Sequence, residues 1–486
     1  MVRSRIVLGA ALGIFGFSIA APVLWAQVSN AGKAPETPAP QVVPAWRGVG
    51  PVAPCVLPWG GIYACPPAPT MVAIRAGRMF DSIKGTMLTK QVVLIQGQRI
   101  TEVGPEGSVT IPGGTRVVDL SQATVLPGFI DTHDHFMTAR GKMTGDEALL
   151  VATKRLRDAL LNGFTALKEM TSHGNGYQDV TLRDMINRGV IIGPRVQVSG
   201  RGIVWGGPTP GAKDKPDPEL LNAIVIHNVE EARAAVRFEV DHGVDHIKLY
   251  PVGGWKFSPT GELQFEMTYP LEVMQALDDE AERLGIKSGA HAYGGAGLQN
   301  AITAGHPGDS IEHGQGLTQE MCNEMAQKGL FYSPTILEYS HPAIEDADAK
   351  NTGGKYGIVP IFKKNVQTCI ATKGLVTVFG SGSQGAAWAE GTNALEFTAL
   401  VKIGGMTPAQ ALQAGTINAA TEMRWRNDVG SITKGKFADI VAVSGDPLAN
   451  ISETERVKFV MKGGEVFRDD FAPDTIGAMT LSGEIR

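Results

Sequence analysis

Between residues 127 and 427 the chain alternates short apolar runs with helical stretches, and a strand-rich segment flanks that alternation at each end. The apolar runs include Thr165–Lys168, Arg195–Ser199, His246–Tyr250, Ser288–His291, Ser310–His313 and Val376–Gly380. Helical patterns such as Val229–Val240 and Pro270–Leu284 lie between them. Strand–helix alternation over this length predicts an α/β fold with a parallel sheet, and its extent suits a closed (β/α)8 TIM-like barrel. A doubly wound sheet is the alternative. It is disfavoured because no glycine-rich phosphate loop follows the first strand of the alternating region.

The flanking segments are β-branched and turn-rich. Val72–Ile74, Val92–Ile95 and Arg116–Leu120 read as strands at one end, and Ile440–Val443 and Val457–Met461 at the other, with a hairpin turn at Lys462-Gly-Gly-Glu465. Residues 71–126 and 428–471 are therefore expected to build one small β-sandwich domain from both chain ends, around a barrel spanning 127–427, with 472–486 as a tail.

Residues 1–70 are expected to stand apart from this fold. Arg3 and Arg5 precede an apolar run from Ile6 to Ala21, and Ala26 offers a small residue for cleavage. A charged start, a short apolar run and a small residue describe an export signal over 1–26. The run is too short and too glycine-rich for a stable membrane span, so the product is expected to be exported, periplasmic or secreted. Residues 27–70 carry ten of the 29 prolines and form a proline-rich arm. The arm also holds Cys55 and Cys65, which can pair in an oxidising compartment. Cys322 and Cys369 fall in helical stretches and read as buried thiols. The net charge of −5 excludes an overall basic surface for nucleic acid. A small-molecule substrate is the expected partner, and homo-oligomerisation is left open.

The chemistry concentrates at strand ends. In Leu126-Pro-Gly-Phe-Ile-Asp-Thr-His-Asp-His135, alternate strand residues share a face, so His133 and His135 point the same way and can grip one metal ion. Lys248 lies inside an apolar strand. A buried lysine must be neutralised or paired: it can take up carbon dioxide as a carbamate, or it can pair with an acid. His291 and His313 end two further strands. Singly, each of these histidines is most simply a core or loop residue; together with the lysine they form a candidate five-ligand metal set. Imidazole and carboxylate donors suit zinc, among other divalent ions. His173, Tyr250 and Tyr293 are candidates for lining a substrate pocket.

On these motifs the chain resembles the amidohydrolase superfamily, in particular its exported imidazolonepropionase-like and dipeptidase-like members, over about residues 71–470. Further matches are Gly163-Phe-Thr165, Leu182-Arg-Asp184 through Gly193-Pro-Arg195, Gly253-Gly254, His291-Ala-Tyr-Gly294, Ile311-Glu-His-Gly314 and Gly430–Val443 with Gly445-Asp-Pro-Leu448. The resemblance implies hydrolysis of C–N bonds (amide, peptide-like or cyclic amide) by metal-activated water. It implies two divalent ions, zinc by preference, one held by His133 and His135, the other by His291 and His313, and bridged by carboxylated Lys248.

The chain departs from that pattern at one position. Where the family carries an aspartate at the end of the eighth strand, as metal ligand and proton shuttle, the sequence reads Phe379-Gly-Ser-Gly-Ser383, and Gly382 offers neither ligand nor base. Asp134 and Glu312 are expected to point away from the barrel axis by strand alternation, which leaves Glu390 in the following loop as the substitute. The competing reading is a degenerate family member that binds metal or a small ligand with little catalysis. A third, in which the barrel is only a scaffold for a partner, requires that no metal bind.

Overall fold

The computed structural model describes residues 71–137, 145–206, 223–340, 347–348, 350–383 and 392–472. The expected export signal, the proline-rich arm with Cys55 and Cys65, and Glu390 lie outside these residues. No helix among the described residues is long and apolar enough to cross a membrane.

Strands are numbered in chain order. β1 (Val72–Asp81), β2 (Thr86–Gln96), β3 (Arg99–Pro105) and β4 (Arg116–Pro127) come from the first flank. β17 (Ile440–Val443), β18 (Phe459–Lys462) and β19 (Glu465–Asp469) come from the last. They hydrogen-bond into one seven-stranded sheet, ordered β19-β18-β17-β4-β1-β2-β3. The two ends meet where β17 runs antiparallel to β4, with Val441 opposite Leu126. Gly463 and Gly464 have φ of +57° and +79°. Both central residues of the tight β18–β19 turn therefore occupy the left-handed region that type I′ hairpins require. Ile74, Val93, Val125, Ile440 and Phe459 pack on one face. Val441, Val443 and Val460 of the C-terminal strands join the main core of the alternating region. A buried Arg195–Asp439 pair, with Nε–Oδ2 at 2.8 Å and Nη2–Oδ1 at 3.1 Å, ties the sheet to that region with a bidentate geometry.

The alternating region begins with the parallel strands β5 (Phe129–Asp134), β6 (Phe164–Glu169) and β7 (Arg195–Gln197). β8 (Ile203–Trp205) and β9 (Ile224–Ile226) follow as short additions. Next come β10 (His246–Leu249), an antiparallel hairpin of β11 (Val252–Phe257) and β12 (Leu263–Met267), then β13 (Lys287–Ala292), β14 (Ser310–His313), β15 (Phe331–Ser333) and β16 (Val376–Thr377). β10, β13, β14, β15 and β16 pair in parallel in chain order. Backbone bonds also join the edges of the two sheets. Asp245 N donates to Val198 O at 2.8 Å on one side, and Thr132 N to Phe379 O at 2.9 Å on the other.

The cysteines correct one expectation. Cys322, in the helix Gln319–Lys328, and Cys369, in the helix Ile358–Ile370, are not separate thiols but form a disulfide with Cα atoms 5.3 Å apart. Each residue lies on the fully buried face of its helix. Sequence showed the burial of each but not that the two helices lie side by side.

Candidate metal centre

All five predicted ligands converge. The His133 and His135 Nε2 atoms are 3.2 Å apart, and His313 Nε2 lies 2.8 Å from His291 Nδ1. The His133 and His313 rings have centroids 4.8 Å apart, which brings the two pairs together. Lys248 sits two positions before the end of the β10–Tyr250 run, beside Gly289 of β13. It is 1% exposed, and its Nζ has no hydrogen-bond partner.

The surrounding residues fix which nitrogens face inward. His133 Nδ1 lies 2.7 Å from Glu312 Oε2, and both side chains are buried. Burial opposes ionisation of Glu312, but its contact with His133 and the charges of Lys168 and Lys248 outweigh it and hold the carboxyl low, at about 2. An ionised carboxylate only accepts, so His133 donates from Nδ1 and presents a lone pair at Nε2. His313 is set in the same way. The Thr335 hydroxyl donates to Pro334 O at 2.8 Å, so it receives the His313 Nδ1–H at 2.7 Å and leaves Nε2 as an acceptor. Burial, then the charge of Lys248, lowers His133 to about 4. Burial is also the main cause that places His135, His291 and His313 well below the usual imidazole range. Neutral imidazole is the form that binds metal.

The spacing of the first pair fits a divalent ion. Two nitrogens at about 2.0–2.1 Å from one tetrahedral ion stand about 3.3–3.4 Å apart, close to the His133–His135 separation. A buried ammonium without a partner is unfavourable as it stands. Burial lowers Lys248 to about 8 against the opposing pull of Glu312 and Glu338, so its neutral, carbon-dioxide-reactive form is accessible near neutrality.

Glu312 departs from the expectation that it points away. His313 has φ of +73°, and this left-handed residue breaks the alternation at the end of β14. Glu312 therefore faces His133 while His313, its neighbour, also faces the site. Asp134 accepts from His135 N at 2.6 Å and from Asn393 Nδ2 at 2.9 Å. Asp131 accepts from the His133 backbone at 3.0 Å and from Ser381 Oγ at 2.6 Å, so Ser381 serves to hold that carboxylate.

Of the predicted pocket residues, His173 packs against His135 with ring centroids 4.4 Å apart. Tyr250 and Tyr293 flank His291 at 5.1 and 4.4 Å. Sequence reasoning missed Tyr339, whose hydroxyl is 2.9 Å from that of Tyr293 and whose ring lies 4.9 Å from His313. It missed Trp255 on the inserted hairpin, 4.9 Å from Tyr293. It also missed Glu169, which accepts from Phe136 N at 2.8 Å and forms, with His135 and His173, a group whose ligand atoms lie within 4.8 Å of one another. A closing acid on β6 carries no motif that would have singled it out.

Residues 124–467 match the model of the amidohydrolase family. Ochratoxinase of Aspergillus niger is 28% identical over 424 residues, covering 79% of this chain and 84% of that protein. Among solved structures, a Xaa-Pro dipeptidase with bound methionine superposes with a TM-score of 0.71 at 27% identity, over 82% of this chain and all of the other. A prolidase complexed with N-methylphosphonate-L-proline gives 0.70 at 26% identity, with the same coverage. With the family model spanning well over half of its length, this chain belongs to the amidohydrolase family.

Proposed function

We propose that the protein is a metal-dependent hydrolase of C–N bonds in amide, peptide-like or cyclic amide substrates. The observation that carries this reading is the convergence of four neutral histidines, two of them tautomer-fixed by Glu312 and Thr335, with a buried lysine amine that has no hydrogen-bond partner. His133 and His135 hold one divalent ion and His291 and His313 a second, zinc by preference. Lys248 would complete the donor set as a carbamate, formed when its neutral amine bonds to carbon dioxide and releases a proton. Bound metal supplies an activated water near neutral pH and polarises the scissile carbonyl. The ligand histidines are kept in register by Glu312 and Thr335. Tyr250, Tyr293 and Tyr339, with Trp255, form an aromatic wall beside His291 and His313 that suits an apolar substrate group.

In this reading the two parallel sheets are arcs of one closed (β/α)8 barrel. The backbone bonds across both gaps and the chain-order pairing from β10 to β16 support that closure. The ligands then sit at the carboxyl ends of the barrel strands, where such barrels carry their chemistry. The protein acts after export.

The test is hydrolysis of a panel of N-acyl amino acids, dipeptides and cyclic amides by the protein before chelation, after chelation and after zinc is restored. Loss and recovery of turnover with the metal is expected. A metal-loaded protein inert across the panel would favour the degenerate reading.

A further inference from the structure

Gly382 has φ of +62°, and its amide donates to His133 O at 2.8 Å, so its Cα lies beside the His133 backbone. A side chain there would not enter open space. A Cβ built on Gly382 would overlap Glu338 Oε2 and lie 2.9 Å from Glu338 Cδ. The carboxylate of Glu338 thus occupies the volume that an aspartate at 382 would fill. Either residue excludes the other.

The segment carrying Glu338 is held firmly. Glu338 lies in the short helix Ile336–Tyr339, directly after β15. Glu396 accepts from the backbone N–H of both Ile336 and Leu337 at 2.8 Å. Thr335, just before this helix, is in the left-handed region with φ of +45° and receives His313 Nδ1–H. Tyr339, just after Glu338, stacks its ring edge toward His313. Thr335 and Tyr339, which flank Glu338 along the chain, therefore each touch the candidate ligand His313. The Oε2 of Glu338 is shielded from solvent.

We infer that Glu338, delivered from the seventh parallel-strand position, is the carboxylate of this site, and that Gly382 is the space made for it. This rests on the metal-hydrolase reading above. Glu338 would add an anionic oxygen donor at the side of the site where Gly382 meets the His133 backbone. It also supplies the proton path for hydrolysis: as the water oxygen bonds to the carbonyl carbon, Glu338 takes the water proton. It returns that proton to the nitrogen as the C–N bond breaks, so the carboxylate ends as it began. The glycine is then a relocation of the acid, not its loss.

The test is a swap, read by metal binding. Zinc affinity is measured by competition with a chromophoric chelator, and the ligand field by cobalt(II) absorption, for wild type, E338A, G382D and E338A/G382D. Circular dichroism checks that each variant is folded. Loss of the carboxylate is expected to weaken one of the two metals at least about 10-fold in E338A and to shift its cobalt(II) spectrum. E338A/G382D is expected to recover affinity to within about 3-fold of wild type, since aspartate tolerates the left-handed backbone. G382D alone is expected to gain nothing, because its side chain meets Glu338. Unchanged affinity in E338A, no recovery in the double variant, or tighter binding in G382D alone would each overturn the inference. Wild-type protein that binds no divalent metal would instead overturn the metal-hydrolase reading, and this inference with it.

Discussion

Glu312 sets the tautomer of His133, and removing it tests whether the site is preorganised. In Glu312→Ala the His133 Nδ1–H loses an acceptor 2.7 Å away, in a place where both side chains are at most 1% exposed. An orphaned buried donor costs about 1–3 kcal/mol. Folded His133 is then no longer committed to presenting Nε2, so zinc affinity should fall about 10–100-fold. Glu312→Gln keeps an acceptor oxygen but no charge, and should fall between wild type and alanine on both counts. Urea unfolding of the metal-free protein reads the first effect, and chelator competition reads the second. If Glu312→Ala binds zinc within about 3-fold of wild type, Glu312 does not orient a ligand. If it also unfolds at the wild-type urea concentration, the buried pair is energetically idle, and the reasoning from 2.7 Å and burial fails.

Three further predictions follow from the same geometry. Replacing both Cys322 and Cys369 by serine opens a link between residues 47 apart, worth about 4 kcal/mol in the chain-entropy description; for a fold of this size calorimetry should show Tm lower by about 5 °C, and an unchanged Tm would contradict the assignment of a structural disulfide. Thr335→Ala removes the acceptor for His313 Nδ1 and should weaken zinc binding about 10-fold, whereas Thr335→Ser, which retains the hydroxyl, should stay near wild type; equal loss in both would mean the hydroxyl is not the operative group. The four ligand histidines are depressed below their unfolded value, so on acidification the unfolded chain binds protons that the folded one refuses, and stability of the metal-free protein should fall as pH drops below about 6.5. For the same reason protons compete weakly for the ligands, and zinc should be retained to about pH 5; release centred at 6.5 or above would show that burial does not keep these imidazoles neutral.

The grouping of the four histidines was legible in the sequence because strand ends carry a simple rule. His133 and His135 are two apart on one strand, and His291 and His313 close two later ones, so period-two alternation and chain order sufficed to group them with Lys248. The joining of both chain ends was legible too, since Ile440–Val443 and the Thr124–Pro127 end of β4 are both apolar β runs. What sequence could not supply was set by backbone dihedrals and by helix neighbours. Alternation turned Glu312 outward, but the positive φ of His313 turns it in. Burial marked Cys322 and Cys369 as thiols, but only the side-by-side packing of their two helices shows them as partners. The glycine at 382 read as a missing acid because an empty position in a motif says nothing about which distant side chain fills the space. Glu338 sits in a four-residue helix with no periodic signal, pinned by an acid some sixty residues later in the chain.

The account stands on the five converging side chains holding metal. Elemental analysis of the purified wild-type protein beside Lys248→Ala and His291→Ala variants tests it most directly. About two divalent ions per chain are expected in wild type, falling to one or none in each variant while circular dichroism stays unchanged. A folded wild-type protein without divalent metal, or variants that keep the full wild-type content, would contradict it.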